Sequence, residues 1–176
     1  MTVEISAFVE FFGPPLYDRS VERDWEEFEN LVGIQMPSDY KEFVSAYGPC
    51  CINDTLLIFH PAAPRDGSLN LFEEVGNVVD QYRFLRAVQS YEKPYPIYPE
   101  PGGCIPVART TGGNQVFLKP PSGEAPTWSL VVEMGEWVDF PSDFTYFLYR
   151  ATVGDLYVPF MVDLDVSFEA VGRLGD

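Results

Sequence analysis

A single histidine, His60, limits the catalytic chemistry that this sequence could support. Every Ser-His-Asp or Cys-His arrangement needs an imidazole as its base, so each would have to use His60. His60 stands between Phe59 and Pro61 at the end of a short apolar run, where we expect a histidine hydrogen-bonded to backbone groups or water. The sequence also lacks the Gly-x-Ser-x-Gly motif of serine hydrolases. We therefore predict that the chain is not an enzyme and has no catalytic residues.

The residues that could bind a metal lack the spacing that metal sites need. Cys50 and Cys51 are adjacent instead of spaced as C-x-x-C, and Cys104 stands alone, so a zinc site is not expected. Asp163 and Asp165 share one face of a predicted strand, but no glycine-bearing calcium loop surrounds them. A solvated strand face explains these two acids more simply. We predict no metal ligands.

Phosphate-binding and glycosidase-like sites are equally poorly supported. The segment Gly112-Gly113-Asn114 is not followed by the Lys-Ser/Thr of a P-loop, so it is interpreted as a hairpin turn. Glu133, Glu136 and Asp139 could pair as glycosidase carboxylates, but they lie in a short predicted hairpin and resemble ordinary surface acids. We expect no cofactor.

Net charge is the most unusual bulk property of the sequence. Twenty-seven acidic residues against 11 basic ones give a formal charge of −16. Nucleic acids and anionic membrane surfaces are disfavoured as partners, because binding to phosphates requires clusters of Lys and Arg. Two interpretations remain open: the acidity only keeps the protein soluble, or it attracts a basic protein partner.

Compartment and size are predicted from composition. No apolar run approaches the roughly 20 residues of a membrane-spanning helix, and the first residues do not resemble a signal peptide. Three cysteines, two of them adjacent, form a poor disulfide framework, so we expect a cytoplasmic protein. A chain of 176 residues with 46% hydrophobic residues is expected to fold as one domain, a monomer or weak homodimer.

Helical periodicity dominates the first half of the chain. Helices are predicted at 20–32, from Pro37 to Tyr47, and at 68–88, the first ending at Gly33 as a left-handed cap. The first two form a helical hairpin. Their apolar stripes are expected in the core; they consist of Val21, Trp25, Phe28 and Val32 in the first helix and of Tyr40, Phe43, Val44 and Tyr47 in the second.

Strand periodicity dominates the second half. A short strand is predicted at 56–59, and four antiparallel strands at 104–108, 115–119, 128–134 and 136–140 after a proline-rich loop at 91–103. Ser142 is predicted to cap a last helix. Phe160, Val162, Leu164, Val166 and Phe168 alternate with polar residues and Met161, so a further strand is expected to join this meander. The fold class is thus α+β: a helical hairpin and a third helix packed on an antiparallel β-meander, closed by a further helix and a C-terminal strand-like tail.

Several short motifs, taken in order, resemble the SUKH superfamily of Smi/Knr-like proteins over roughly residues 20–153. They are Trp25-Glu26-Glu27-Phe28-Glu29, Gly33, Met36-Pro37-Ser38-Asp39-Tyr40, Tyr47-Gly48, Ile105-Pro106-Val107-Ala108, Gly112-Gly113-Asn114 and Phe144-Thr145-Tyr146-Phe147-Leu148. The residues that we expect to define this fold are Trp25, Phe28, Gly33, Pro37, Tyr40, Phe43, Gly48, Pro106, Gly112, Gly113, Asn114, Phe144, Phe147 and Leu148. The resemblance implies a domain at 1–155, including a short N-terminal lead, with a C-terminal extension at 156–176 packed on it.

The resemblance implies a binding protein. Bacterial SUKH proteins are similar to immunity proteins that neutralise a toxin domain, and fungal relatives regulate cell-wall assembly. The leading hypothesis is an immunity protein for a basic toxin domain; the alternatives are a cytoplasmic regulator or scaffold and a small-molecule binder using the aromatic loop from Tyr91 to Gly103. The predicted partner-binding residues are Glu22, Asp24, Glu26 and Glu27 of the first helix and Glu133, Glu136 and Asp139 of the meander.

Overall fold

The computed structural model describes residues 2–17, 21–65, 69–89, 93–123, 125–161 and 166–171. Within these ranges a 3-10 helix at Ile5–Phe8 precedes α1 (Val9–Phe12), α2 (Glu22–Val32), α3 (Ser38–Tyr47), β1 (Cys50–Ile52), β2 (Leu56–Ile58), α4 (Leu71–Gln89), β3 (Ile105–Thr110), β4 (Gln115–Lys119), β5 (Ser129–Glu133), β6 (Trp137–Phe140), α5 (Phe144–Thr152) and β7 (Phe168–Ala170). The predicted α+β fold class is confirmed. The predicted features at Ser20, Ser68, Tyr91, Val162, Asp163, Leu164 and Asp165 lie outside the described residues.

One antiparallel sheet organises the fold, with the strand order β6-β5-β4-β3-β2-β1-β7. Neighbouring strands of the meander β3–β6 are also neighbours in the chain, so each hairpin forms from local contacts. The strand predicted at 115–119 matches β4, and the other three meander strands agree within a few residues at their ends. A bulge between Pro106 and Ala108 shifts the register of β3.

The main core lies between one face of the sheet and helices α2, α3 and α5. Their aromatic stripes form it: Tyr40 lies 4.9 Å from Phe144 and 5.7 Å from Trp25 between ring centroids. Tyr40 is fully buried, and its hydroxyl donates a hydrogen bond to the backbone oxygen of Phe59 at 3.1 Å. Gly33 ends α2 in the left-handed conformation, with φ of 75°, as its position after the stripe predicts.

Helix α4 passes from this core to the opposite face of the sheet. Its Val78 and Tyr82 side chains join Phe117 and Val131 in a second, smaller apolar cluster. Asn70 caps the helix, because its side-chain oxygen accepts hydrogen bonds from the backbone N–H groups of residues 72 and 73. The sheet is therefore covered by helices on both faces, and α2 and α4 lie side by side where Phe28 and Phe72 meet edge to face at 5.3 Å.

The C-terminal tail corrects one prediction. We expected a strand at 160–168 that extends the meander, but β7 is formed by Phe168–Ala170 and pairs with β1, at the edge of the sheet opposite β6. Met161, expected on the outer face, is buried. The tail reaches this edge because Phe168 stacks on Phe12 at 5.0 Å and Asn53 exchanges two hydrogen bonds with Ser167.

The N-terminal lead and the start of α5 also differ from expectation. Phe8 and Phe12 lie in the core, on two short helical turns within a segment that we expected to be only an N-terminal lead. Asp143, and not Ser142, is the cap residue of α5, and its side chain makes no capping bond. A backbone N–H of the first turn is instead satisfied by a distant residue, because Asp39 accepts a hydrogen bond from the buried Thr145 N–H at 2.9 Å.

Candidate partner-binding surface

Helix α2 has one buried face and one acidic face. Trp25 and Phe28 lie in the core, whereas Glu22, Glu26 and Glu27 are exposed and Asp24 is half-buried. The two acids of the first turn, Glu22 and Asp24, are placed where the positive end of the helix dipole favours negative charge. The apolar stripe thus fixes the orientation of α2, and this orientation places its acids at the surface.

Three grooves border this acidic face. Glu22 lines a groove of about 590 Å³ between the N-terminal lead, α2 and α3, together with Trp25, Lys41 and Glu42. Glu26 lines a smaller one of about 390 Å³ at the end of α2. Glu27 lines a groove of about 680 Å³ between α2 and α4, which we call the α2/α4 groove.

The groove at the start of α2 combines an aromatic floor with mixed charge. The indole Nε1 of Trp25 is buried and has no hydrogen-bond partner among the described residues. The Lys41 ammonium lies 6.0 Å from the Trp25 ring centroid and forms an ion pair with Glu29 at 2.8 Å. Because Lys41 is held by Glu29, the carboxylates of Glu22 and Glu42 dominate the outward charge of this groove.

The acids of the meander have different surroundings. Asp139 accepts hydrogen bonds from the Lys119 ammonium and, at 3.2 Å, from the Tyr95 hydroxyl, so its charge is already balanced inside the fold. Glu133 accepts a hydrogen bond from the Gly135 N–H at the β5–β6 turn, and Glu136 is exposed there. None of the three lines a groove bordered by an α2 acid, so the structure does not join the two predicted sets of acids into one site.

His60 has a structural setting. It is fully buried, and its Nδ1 accepts a hydrogen bond from the Ala62 N–H at 2.9 Å, as expected of a histidine bonded to backbone groups. Its own backbone N–H and C=O bond to Leu69 and Leu71, which fixes the loop that leads into α4. An imidazole enclosed in this way holds a loop and is not presented to a substrate.

The three cysteines are buried free thiols. Burial raises the pKa of Cys50 and of Cys51, and it raises the pKa of Cys104 to about 12. Thiols with raised pKa values stay protonated near neutral pH and are poor nucleophiles and metal ligands. The described residues contain no group of three or more His, Cys, Asp or Glu side chains arranged to hold a metal ion.

The aromatic loop suggested as a small-molecule site is used within the fold. Ile97 is buried, and the Tyr95 hydroxyl donates to Asp139. The Tyr98 hydroxyl donates to the backbone oxygen of Leu31 at the end of α2. The three grooves beside α2 are lined by other residues, and small-molecule binding by this loop stays a prediction.

Sequence reasoning missed the residues that α4 and the loop before it bring to α2. Arg65 forms an ion pair with Glu27 at 3.1 Å and lies over the Phe72 ring at 4.6 Å. No local pattern connects positions 27, 65 and 72, because only the packing of Phe28 on Phe72 brings them together.

The described part of the chain includes no helix with the length and apolarity needed to cross a membrane.

Comparison with known proteins agrees with this architecture. The model of the SMI1 / KNR4 family (SUKH-1) matches residues 21–159, which include α2 to α5 and the strands β1 to β6. YokK, an SPbeta prophage-derived uncharacterized protein of Bacillus subtilis (strain 168), is 24% identical over 112 residues, a match that covers 58% of this chain and 58% of that protein. No solved structure matches the chain. The chain therefore belongs to the SMI1 / KNR4 family (SUKH-1), a generally non-catalytic family whose membership supports an immunity or regulatory role exerted through protein binding.

Proposed function

We propose that this protein is an immunity protein that binds and neutralises a toxin domain of a polymorphic or contact-dependent toxin system. The observation that carries the proposal is the acidic face of α2. Its acids are held at the surface by the buried Trp25 and Phe28, and they border three grooves on a fold of a protein-binding family. It acts in the cytoplasm of the cell that it protects, and its C-terminal extension at 156–176 belongs to the same domain.

Electrostatic attraction supplies the mechanism of recognition. A toxin that acts on nucleic acid needs a basic cleft to bind phosphates. A protein of net charge −16 that approaches such a cleft gains association rate from long-range attraction, which is screened over about 8 Å at physiological salt. Neutralisation then requires only that the bound protein covers the cleft, and no chemical step is needed.

The α2 acids are the stronger candidates for this contact. Glu22, Glu26 and Glu27 are exposed, and among the described residues Glu27 forms its ion pair with the exposed Arg65. Exposed ion pairs contribute little to stability, so these acids can exchange partners at small cost. Asp139 is the weakest of the proposed contacts, because Lys119 and Tyr95 already occupy its carboxylate.

The test starts from the reading frames adjacent to this gene, one of which is expected to encode a toxin domain that this protein neutralises. Co-expression of the wild-type protein should restore growth of cells that express the toxin domain, and association rates should fall steeply between 50 and 500 mM NaCl. A variant with Glu22, Asp24, Glu26 and Glu27 all changed to Lys should associate more slowly by at least tenfold. The matched control changes four other exposed acids, Glu4, Glu10, Asp155 and Glu169, to Lys.

The control separates local contact from net charge. Equal slowing in both variants would mean that α2 is not the contact, and a rate independent of salt would remove the electrostatic mechanism. Failure of the wild-type protein to protect cells, with binding to an endogenous protein instead, would favour the regulatory role known from the Smi/Knr type. Family membership supports that role as the second candidate.

A further inference from the structure

The α2/α4 groove has an aromatic floor between the two helices. Phe72 lies half-buried in the floor, edge to face against Phe28. Arg65, from the loop before α4, connects the two helices, because it pairs with the Glu27 carboxylate on α2 and lies over the Phe72 ring on α4. The groove of about 680 Å³ is thus lined by side chains of both helices and by Arg65.

Exposed apolar side chains lie in this groove at Leu31 and further along α4 at Phe84 and Val88. Leu31 on the α2 side is 52% exposed. On α4, Gly76 and Asp80 line the groove, and the same i, i+4 row continues to Phe84 and Val88, which are 65% and 56% exposed. From Gly76 to Val88 this row covers 13 positions of the helix, which is about 18 Å along its axis, or about three helical turns. Exposed large apolar side chains that lie in one region, such as Leu31, Phe84 and Val88, mark surfaces that bind proteins.

Gly76 lies in the middle of α4 without a reason inside the fold. A Cβ built at this position meets nothing within 4 Å, and the residue is exposed. Alanine there would favour the helix by about 1 kcal/mol, because glycine is a poor helix former. Glycine leaves a notch in the row between Phe72 and Asp80, where a second helix can approach the α4 backbone closely.

The charges around the groove select the kind of partner. Glu27, Glu73 and Asp80 line it together with only one base, Arg65. Glu27 and Asp80 pair with exposed arginines, and Glu73 forms no ion pair with any described residue. A second copy of this acidic chain would bring like charges to the rim, whereas a basic partner would bring complementary ones.

We infer that the α2/α4 groove binds an amphipathic helix of the partner, with apolar side chains against Leu31 and Phe72 and with Lys or Arg at its edges. This inference rests on the proposed function, since it names the segment of the toxin domain that the protein recognises. Two helices flanking a groove accept a third helix by packing its side-chain ridges between their own. The partner's backbone crosses α4 at the notch left by Gly76.

A synthetic 18-residue amphipathic helix of Leu and Lys is the first probe. Titrated into ¹⁵N-labelled protein, it should shift the amide resonances of residues 27–31 and 72–84, and a scrambled peptide of equal composition should not. Gly76→Gln fills the notch and Leu31→Asp removes the apolar side, so each should weaken binding at least tenfold. Leu16→Asp is the matched control at a leucine of 46% exposure, and it should bind the peptide as the wild type does.

The second probe is the toxin domain that the proposed function expects in an adjacent reading frame, and thermal melts confirm that each variant is folded. The inference is supported if the peptide shifts only amide resonances around the groove and if the Gly76→Gln variant no longer protects cells from the toxin domain. Full protection by Gly76→Gln and Leu31→Asp would overturn it while the proposed function stands. Groove-specific peptide binding without any protection by the wild type would overturn the proposed function instead. Resonance shifts spread over the whole surface, or none, would refute the groove as a helix site.

Discussion

Asp39 links two helices that are far apart in the sequence, and its replacement tests the account of the fold. Its carboxylate accepts a hydrogen bond from the Thr145 N–H at 2.9 Å, 106 residues along the chain. Asp39 is 5% exposed and Thr145 is fully buried. Asp39→Ala removes the acceptor, whereas Asp39→Asn keeps an oxygen in the same place and removes the charge.

The expected magnitude follows from the burial of Thr145. Asp39→Ala leaves a buried backbone N–H without its acceptor, which costs about 1–3 kcal/mol of unfolding free energy. For a domain of this size each kcal/mol corresponds to about 2–4 °C in Tm, so a loss of about 2 kcal/mol lowers Tm by about 4–8 °C. Asp39→Asn should lose much less, because the hydrogen bond is retained.

The two variants also differ in pH dependence. Burial raises the pKa of the Asp39 carboxyl above its ordinary value, and the nearby Asp143 carboxylate adds to this, although the hydrogen bonds from Thr145 partly oppose it. Between the ordinary pKa and the raised one, the folded state keeps a proton that the unfolded state has lost. Stability from this group is therefore lost as pH rises through that window. The unfolding free energy of Asp39→Asn minus that of the wild type should increase from pH 4 to pH 7.

Urea denaturation at pH 4, 5, 6 and 7 measures these differences. Subtracting the wild-type curve from that of Asp39→Asn cancels the titration of all other acids, so the remaining slope belongs to Asp39. The reasoning is refuted if Asn costs as much as Ala, since the hydrogen bond would then not be what Asp39 provides. A difference that decreases with pH would show that the charged form is stabilised by folding.

Three further outcomes are expected. Truncation after Gly154 removes β7 and two buried side chains of the tail, a gross loss of about 4–8 kcal/mol of unfolding free energy before ordering entropy is subtracted. Calorimetry should then show Tm lowered by on the order of 10 °C, and an unchanged Tm would mean that the tail is dispensable. A double-mutant cycle of Phe12→Ala and Phe168→Ala should give a coupling of about 0.5–1.5 kcal/mol by urea denaturation, and additive losses would mean that the ring stack contributes nothing of its own. His60→Gln should leave neutralisation of the toxin domain intact in growth assays; lost protection with an unchanged melt would reveal a functional histidine.

The parts of the fold that could be predicted are those fixed by local signals. Helix α2 has a clear apolar stripe and a glycine cap. The strands of the meander are separated by turns that contain glycine. These signals depend on neighbours within a few residues, so one sequence contains them in full. The prediction of α3 succeeded for the same reason, since Pro37 begins it and Gly48 ends it.

The parts that could not be predicted depend on distant contacts. β1 has only three residues, two of them cysteines, and becomes a strand because β2 and β7 pair with it on both sides. The tail joins β1 because Phe168 finds Phe12 and Tyr47, which lie more than 100 residues away. The apolar triplet Phe8, Phe11 and Phe12 at helical spacing was the available signal for the N-terminal turns, but a four-residue helix is stable only through its packing.

The partner-binding surface is harder still to predict, and the structure of α2 shows why. The inward residues of this helix must satisfy the core, so the family pattern constrains them. The outward residues, including Glu22 and Glu26, have exposed side chains and make no contact that the fold requires, so they are free to match whichever partner the protein has. A resemblance carried by core, cap and turn residues therefore identifies the scaffold and leaves the partner open. If the inferred helix site is correct, Leu31 and Gly76, whose exposure and backbone the fold does not explain, are the first positions at which a partner should be detected.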